Sequence, residues 1–572
     1  MNQKTNNPPS IRPIISLGNT AFESIRTGGN FYIDKSDFIR QWWENQDFAT
    51  LITRPRRFGK SLNLNMLECF FSEKYKERSD LFAGLSIWKE EKYRRIQGTY
   101  PVISFSFADI KGRDFDTARE AICQVILDLY TQFSFLKESD RLSPEEKEYF
   151  AMVSSGMSDA VAAVAIKRLS MCLNHHYGKK ALIFLDEYDT PLQEAYMYGY
   201  WDALTGFVRG LFNSTFKINP YLERALLTGI TRVSKESIFS DLNNLTVITT
   251  TSCQYADCFG FTENEVFHAL KQYGMEEKME EIQAWYNGFS FGDKRDIYNP
   301  WSITCFLKEK KLKPYWANTS SNQLIGKLLR QGSVELKIVL EDLLDGKVFQ
   351  TEIDEEIVFE QLERKKGAIW SLLLACGYLK VTEVHFEENT GRYQYALAVT
   401  DREVKMLFED MVEGWFSDEN IPYNEFIKAL LVNDVDYMNE YINRVSQAIF
   451  STFDTRKNPS DTAANPERFY HGFVLGLIVE LEGKYRISSN RKSGFGRYDV
   501  MLEPMDKNEN AYILEFKVFN PRKERKLEDT VLNALDQIQE KDYDRELLAR
   551  GIDPGKIYHY GFAFQGKNVL IG

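Results

Sequence analysis

At 572 residues the chain has room for three or four domains of about 150 residues each. Its 43% hydrophobic and 27% charged residues belong to a globular protein, and 71 Lys plus Arg against 83 Asp plus Glu give −12. That balance excludes an unselective nucleic-acid binder while allowing a local basic cleft. Seven cysteines form no CxxC pair, Met1 to Ser10 has no apolar signal core, and no run of about 18 apolar residues occurs. Reduced thiols, a cytoplasmic location and no membrane partner are therefore expected.

After an N-terminal segment (1–30), short apolar runs alternate with helical patterns over 31–260, as in a parallel α/β sheet. The runs are Phe48–Thr53, Val102–Phe107, Ala181–Leu185, Ala225–Thr228 and Leu245–Thr250. A helix is expected over Ser61 to Ser72, with Leu62, Met66, Leu67 and Phe70 on one stripe. From Phe261 the pattern turns mainly helical, opened by a capping box at Thr262 to Glu265. Residues 261–345 are read as a helical lid and 346–464 as a mainly helical middle region and linker, with strands near Tyr378–His385 and Arg392–Val399. Two aromatic segments, Tyr286-Asn287-Gly288-Phe289 and Tyr298-Asn299-Pro300-Trp301, read as turns that pack the lid. The polar stretch Asp454 to Pro466 precedes a last αβ pattern over 465–572.

The first run ends in Arg54-Pro55-Arg56-Arg57-Phe58-Gly59-Lys60-Ser61, the GxxxxGK[ST] spacing with Arg54 in place of the first glycine. Gly59 would let the backbone approach phosphates, helix N–H groups would face anionic oxygens, Lys60 would reach the β- and γ-phosphates, and Ser61 would ligate Mg²⁺. The arginines add positive charge for a polyphosphate. The run Ala181–Leu185 ends in Asp186-Glu187, where Asp186 would hold Mg²⁺ and Glu187 would orient or deprotonate the attacking water. Thr228 ends another run, as a sensor of the γ-phosphate, and Arg232 would be an arginine finger or would line the phosphate pocket. The candidate nucleotide-binding set is Arg57, Phe58, Gly59, Lys60, Ser61, Leu62, Asp186 and Thr228, with ATP and Mg²⁺ as cofactors. The expected fold here is an αβα sandwich of the P-loop NTPase, AAA-like type, with an extra strand between the two motifs.

In Ala511–Val518 (AYILEFKV), alternation puts Tyr512, Leu514, Phe516 and Val518 on one face and Ile513, Glu515 and Lys517 on the other. Burying Glu515 and Lys517 is costly unless they are paired or bind something. Asp499, on the neighbouring strand (Arg497–Leu502), can reach the same face. Two carboxylates there can hold Mg²⁺, while the lysine positions water or stabilises phosphate charge. Glu467 on the preceding helix would add a carboxylate, with Glu480 and Glu482 as rivals. Gln537, on a helix over Leu527–Lys541, is read as capping a helix face rather than reaching the site. Arg491, Lys492 and Arg497 would either meet a phosphate backbone or form a solvated loop.

These motifs, with FYIDKSDFI (31–39), TRPRRFGKSL (53–62), LIFLDEYDTPL (182–192), TGITRVSKESIFSDLNNL (228–245), YNGFSFG (286–292), IYNPWSI (297–303), SNRKSGFGRYDVML (489–502) and ILEFKV (513–518), make the chain resemble a bacterial family. That family joins an AAA-ATPase-like domain to a C-terminal PD-(D/E)XK nuclease-superfamily domain. The resemblance implies an ATP site at Lys60, Ser61, Asp186 and Glu187, a nuclease-type motif at Asp499, Glu515 and Lys517, and an arginine at position 54 as a family habit. The leading expectation is an ATPase coupled to a DNA-directed, Mg²⁺-dependent nuclease-like domain. The rival is an ATP-driven signalling switch or oligomerising scaffold whose C-terminal domain binds without cutting.

Overall fold

The computed structural model describes residues 12–232, 243–317, 323–331, 334–354, 367–416, 423–449, 484–489, 492–493, 496–497, 499–565 and 568–572, with positions 474, 478 and 481. Glu467, Glu480, Glu482, Arg491 and residues 233–242 of the long central motif lie outside the described residues. Two compact units emerge: 1–321 with 348–406, and 322–347 with 407–572.

The first unit is built on five parallel strands: β1 (Ala49–Thr53), β2 (Val102–Ser106), β3 (Ala181–Asp186), β4 (Leu222–Gly229) and β5 (Leu245–Ile248), in the order β2-β3-β4-β1-β5. β1 and β3 are buried along their whole length, as strands covered by helices on both faces must be. The order places β4 between the strand that ends at Thr53 and the strand that ends at Asp186. All three C-terminal ends therefore open at one edge of the sheet, where α/β proteins bind ligands.

Helix α1 (Lys60–Phe71) follows β1. Its N-cap, Gly59, has φ +82°, a left-handed turn that favours glycine. α2 (Phe115–Gln132) and α3 (Asp159–Tyr177) start on side-chain caps from Asp114 and Ser158, and α4 (Thr190–Tyr198) and α5 (Trp201–Phe212) follow β3.

Beyond β6 (Phe261–Thr262), helix α6 (Glu263–Tyr273) opens on the capping box formed by Thr262 and Glu265. The first aromatic segment read as a turn runs instead into a hairpin, β7 (Asn287–Phe291) with β8 (Lys294–Tyr298), reversed at Gly292 and joined by β6, while the second starts on the last residue of β8 and turns at Asn299 into a helix. The Asn-Gly pair concealed a strand whose alternate aromatics, Phe289 and Phe291, are buried. α7 (Pro300–Glu309) follows, its first amides capped by Asn299. A second antiparallel sheet contains β9 (Phe349–Thr351), β10 (Leu379–Glu387) and β11 (Arg392–Val399), with α8 (Ala368–Ala375) before β10. The division between the units falls inside α9 (Arg402–Phe416).

The second unit carries α10 (Tyr423–Leu431), α11 (Val435–Ile449) and a mixed sheet. Its strands are β12 (Tyr485–Ser489), β15 (Val500–Pro504), β16 (Ala511–Val518), β17 (Ile557–Gln565) and β18 (Asn568–Ile571), in that spatial order. A small hairpin, β13 (Lys492–Ser493) with β14 (Gly496–Arg497), interrupts the sequence between β12 and β15. β16 is antiparallel to β15 and parallel to β17. One face, with Tyr512, Leu514 and Phe516, packs against α10 and α11, while Ile513 joins Ile538, Tyr543 and Leu547 on the other. That second face is covered by α12 (Leu527–Glu540). All seven cysteines are free thiols, five of them buried. No helix among the described residues is long and apolar enough to cross a membrane.

Candidate functional site

The loop from Thr53 to Ser61 and the ends of β3 and β4 form the first cluster. Lys60 is almost fully buried. Its ammonium donates to the carbonyls of Arg54 and Pro55, both at 3.1 Å, and lies 3.7 Å from Glu187 Oε1. Asp186 Oδ1 accepts from Thr228 Oγ1 and from the Glu187 amide at 3.1 Å. Glu187 adopts φ +52° and Arg57 φ +65°, left-handed conformations that cost a non-glycine residue energy and that cluster at functional sites. Burial raises the proton affinity of Glu187, and the Lys60 charge opposes that shift. The first amides of α1 have no intrahelical acceptor by geometry, and they follow a glycine whose missing Cβ would meet nothing within 4 Å. A buried cation beside open N–H groups suits a polyphosphate, and Ser61, Asp186 and Thr228 offer hard oxygens to Mg²⁺.

Arg54 departs from its expected role. It is fully buried, donating to the carbonyls of Thr53 at 2.9 Å and Thr249 at 2.6 Å, and its guanidinium lies 4.6 Å from the Phe291 ring centre. Burial lowers its pKa to about 10. It pins the start of the loop to the segment after β5 and to β7, so its charge is not offered to phosphates. Arg57 is exposed and stacks on Trp301 at 4.5 Å. The ring of Phe58 is buried against Phe289 and Phe291, leaving its backbone amide as the group a ligand can use. Ser61 and Leu62 are half-buried.

Arg232 lines a recess with Thr53, Thr249, Asp354 and Ser371, a lining that includes neither Lys60 nor Asp186.

Several residues of this cluster escaped the sequence reading. Asp189 Oδ2 accepts from the amides of Ile230 at 3.1 Å and Thr231 at 2.8 Å and from Thr231 Oγ1 at 2.8 Å, and Tyr188 donates to the Thr231 carbonyl at 2.7 Å. These bonds lace the loop after β3 to the end of β4. A Cβ on Gly229 would meet Tyr188 and Asp189 at under 3 Å, so the lacing requires glycine there. The third acid of the Asp186-Glu187-Tyr188-Asp189 run was the available signal. On the other side of the loop, Trp316 Nε1 donates to the Arg56 carbonyl at 3.0 Å. Glu403 in turn accepts from the amides of Tyr315 at 2.8 Å and Trp316 at 3.2 Å and from Ser302 Oγ at 3.0 Å. Burial, then the neighbouring Asp401 charge, pushes Glu403 up to about 8.

The second cluster lies on β16. Glu515 is buried, and its Oε1 accepts from Lys517 Nζ at 3.3 Å and from Gln537 Nε2. Among the described residues its Oε2 is buried without a hydrogen-bond partner. Asp499 Oδ2 accepts the Phe516 amide at 2.8 Å, tying it to the same strand. Burial and then the Asp499 charge raise Glu515 to about 7, and burial also raises Asp499. An orphaned carboxylate oxygen beside a second carboxylate suits a divalent cation. Among the described residues two carboxylates, not three, meet here.

Gln537, expected to cap a helix face, contacts the site instead. The reason is a glycine: Gly561 sits opposite Glu515 in the β16–β17 register, and a Cβ there would strike the Val531 carbonyl at 2.7 Å. Helix α12 can approach the sheet closely, and Gln537, also 3.1 Å from Tyr543 Oη, reaches Glu515. Nothing in the local sequence around Gln537 reports a close approach set by a residue 24 positions later.

Residues 16–239 match the family described as predicted AAA-ATPase, and residues 465–572 match the PD-(D/E)XK nuclease superfamily. A protein of Azotobacter chroococcum mcd 1, described as an uncharacterized protein in the vnfD 5' region, is 24% identical over 584 residues, spanning 98% of each chain.

Proposed function

We propose that this chain, which joins a predicted AAA-ATPase segment to a PD-(D/E)XK nuclease-superfamily segment, is an ATP-hydrolysing protein coupled to a Mg²⁺-dependent DNA nuclease. The carrying observation is the pair of acid–lysine clusters: Lys60 with Asp186 and Glu187, and Lys517 with Asp499 and Glu515.

In the first cluster Lys60 turns from the carbonyls of Arg54 and Pro55 to the β- and γ-phosphates. The amides from Gly59 to Leu62 receive phosphate oxygens, and Ser61 and Asp186 hold Mg²⁺. Thr228 orients Asp186, and Glu187, with its raised proton affinity, accepts the proton of the attacking water. In the second cluster Asp499 and Glu515 hold a divalent cation, which polarises a phosphodiester when bound. Gln537 fixes the Glu515 rotamer, and Lys517 steadies charge on the phosphate.

ATP titration calorimetry on wild type and Lys60→Met tests the first half: the variant loses measurable binding, and equal affinity removes the proposal. Cleavage of linear, circular and single-stranded DNA with Mg²⁺ or Mn²⁺, with and without ATP, tests the second half. Asp499→Asn should be silent, and equal cutting by wild type and variant would trace the activity to a contaminant. A second reading is binding without cleavage by a protein acting as a nucleotide switch. It predicts DNA retention with no product under any metal.

A further inference from the structure

β16 leads directly into a short loop, and that loop carries a concentration of cations in a chain whose net charge is −12. Residues 521–526 read Pro-Arg-Lys-Glu-Arg-Lys. Arg522, Lys523, Arg525 and Lys526 are all exposed. Among the described residues none of the four is in an ion pair, although many other surface arginines and lysines are, Arg486 and Arg550 with Glu503 among them.

The acids within and after the run are turned to a different use. Glu524 accepts the Asn520 amide at 2.8 Å, Thr530 Oγ1 at 2.8 Å and Asn533 Nδ2 at 2.7 Å. Asp529 accepts the amides of Arg525 at 2.9 Å and Lys526 at 3.1 Å. Both carboxylates are committed to holding the loop's shape and the start of α12. Glu528, in the first turn of α12, is the exposed acid beside the run. The cations are left to face solvent on a loop braced at both ends.

The same loop is indexed to the second cluster. It begins four residues after Lys517, beyond the strand that carries Glu515, and it ends in the helix whose Gln537 contacts Glu515.

From this arrangement we infer that residues 522–526 are a docking site for a nucleic-acid phosphate backbone, gripping the strand beside Asp499, Glu515 and Lys517. The inference rests on the nuclease reading of those three residues for the identity of the polyanion. Exposed lysines and arginines on a braced loop bind phosphates without reading sequence, so the site supplies affinity and register rather than specificity. An acidic protein as partner would not need the cations set beside a candidate metal-binding pair.

The test is fluorescence anisotropy of the full-length protein on a labelled 30-base-pair duplex, in EDTA so that no cutting occurs, over 50–200 mM KCl. A single-stranded DNA and an RNA of equal length form further arms. The variant is Arg522→Ala/Lys523→Ala/Arg525→Ala/Lys526→Ala, which keeps the backbone amides that bind Asp529. A second variant with Gln at the four positions guards against loop collapse, and Lys541→Ala, at the far end of α12, is the control.

Both fourfold variants should lose at least about tenfold in affinity and flatten the salt slope by about 2–4, since each lost duplex phosphate contact removes about 0.9. Lys541→Ala should leave the slope alone. Slopes equal to wild type in both fourfold variants overturn the inference, as does a wild type that binds none of the three nucleic acids. Loop-dependent binding by a wild type that cuts nothing with Mg²⁺ or Mn²⁺ keeps the inference and removes the nuclease reading.

Discussion

Both clusters pair a lysine with acids, yet they bury opposite members. In the first, the Lys60 side chain is 3% exposed and Glu187 is 21% exposed; in the second, Glu515 is 2% exposed and Lys517 27%. The buried member sets which ligand gains most from entering. A buried ammonium held only by main-chain carbonyls and one longer contact favours an incoming anion, and a buried carboxylate with an orphaned oxygen favours an incoming cation. The scaffolds agree with that division. Parallel strands deliver a helix N-terminus to the first cluster, whereas the second stands on the face of a strand under a closely packed helix.

The largest effects test this inversion directly. Lys60→Met and Glu515→Gln should each cost at least about 100-fold, roughly 3 kcal/mol, in nucleotide affinity and in metal-dependent cleavage respectively. Without ligands their effects on stability should have opposite signs. Lys60→Met strands the carbonyls of Arg54 and Pro55 and lowers Tm. Glu515→Gln removes a buried charge and raises Tm in EDTA at pH 8, above the Glu515 pKa of about 7. Thermal melts with and without ATP, Mg²⁺ and Mn²⁺ check all four shifts, and Tm changes of the same sign would break the comparison.

A substitution that restores the usual P-loop glycine separates motif from structure. Arg54→Gly should destabilise by about 3 kcal/mol, because it opens a hole under Phe291 and strands the Thr249 carbonyl. Chemical denaturation measures this, and a glycine variant as stable as wild type would return Arg54 to the phosphates.

Arg54 also marks where the sequence stopped being legible. Apolar runs and turn residues located all five strands of the first sheet and the alternation of β16, because strand burial is written in local periodicity. The order of strand ends, the lacing by Asp189, the inward turn of Arg54 and the reach of Gln537 depend on residues that are distant in sequence. Gly561 opposite Glu515 and Gly229 against Tyr188 act by leaving room, which no local motif records.

A smaller effect concerns pH. Glu403 has its ordinary value of 4.5 raised to about 8, so between those values the folded chain keeps a proton that the unfolded chain releases. Its contribution to stability is complete below about pH 4.5 and is lost as pH rises through 8. Wild type should lose Tm steadily from pH 5.5 to 8.5. Glu403→Gln should be less stable at low pH but flatter, with remaining slope coming from Asp401 and Glu515, both of which burial also raises. A Gln variant with the full wild-type slope would exclude Glu403 as its source. The second cluster provides the contrast, since Mg²⁺ should suppress the slope arising at Glu515 and leave that of Glu403 untouched.

The smallest effect follows from the same network. Trp316→Phe keeps most of the packing against Phe289 and Tyr378 but removes the donor to the Arg56 carbonyl. Losing one such bond costs about 1 kcal/mol, which corresponds to roughly a fivefold weakening when the energy is felt by the bound loop. Nucleotide affinity should fall by that factor while metal-dependent cleavage without ATP stays at the wild-type rate, because Asp499, Glu515 and Gln537 belong to the other compact unit. Equal losses in both assays would mean that the variant had weakened the fold as a whole rather than the loop that Trp316 holds.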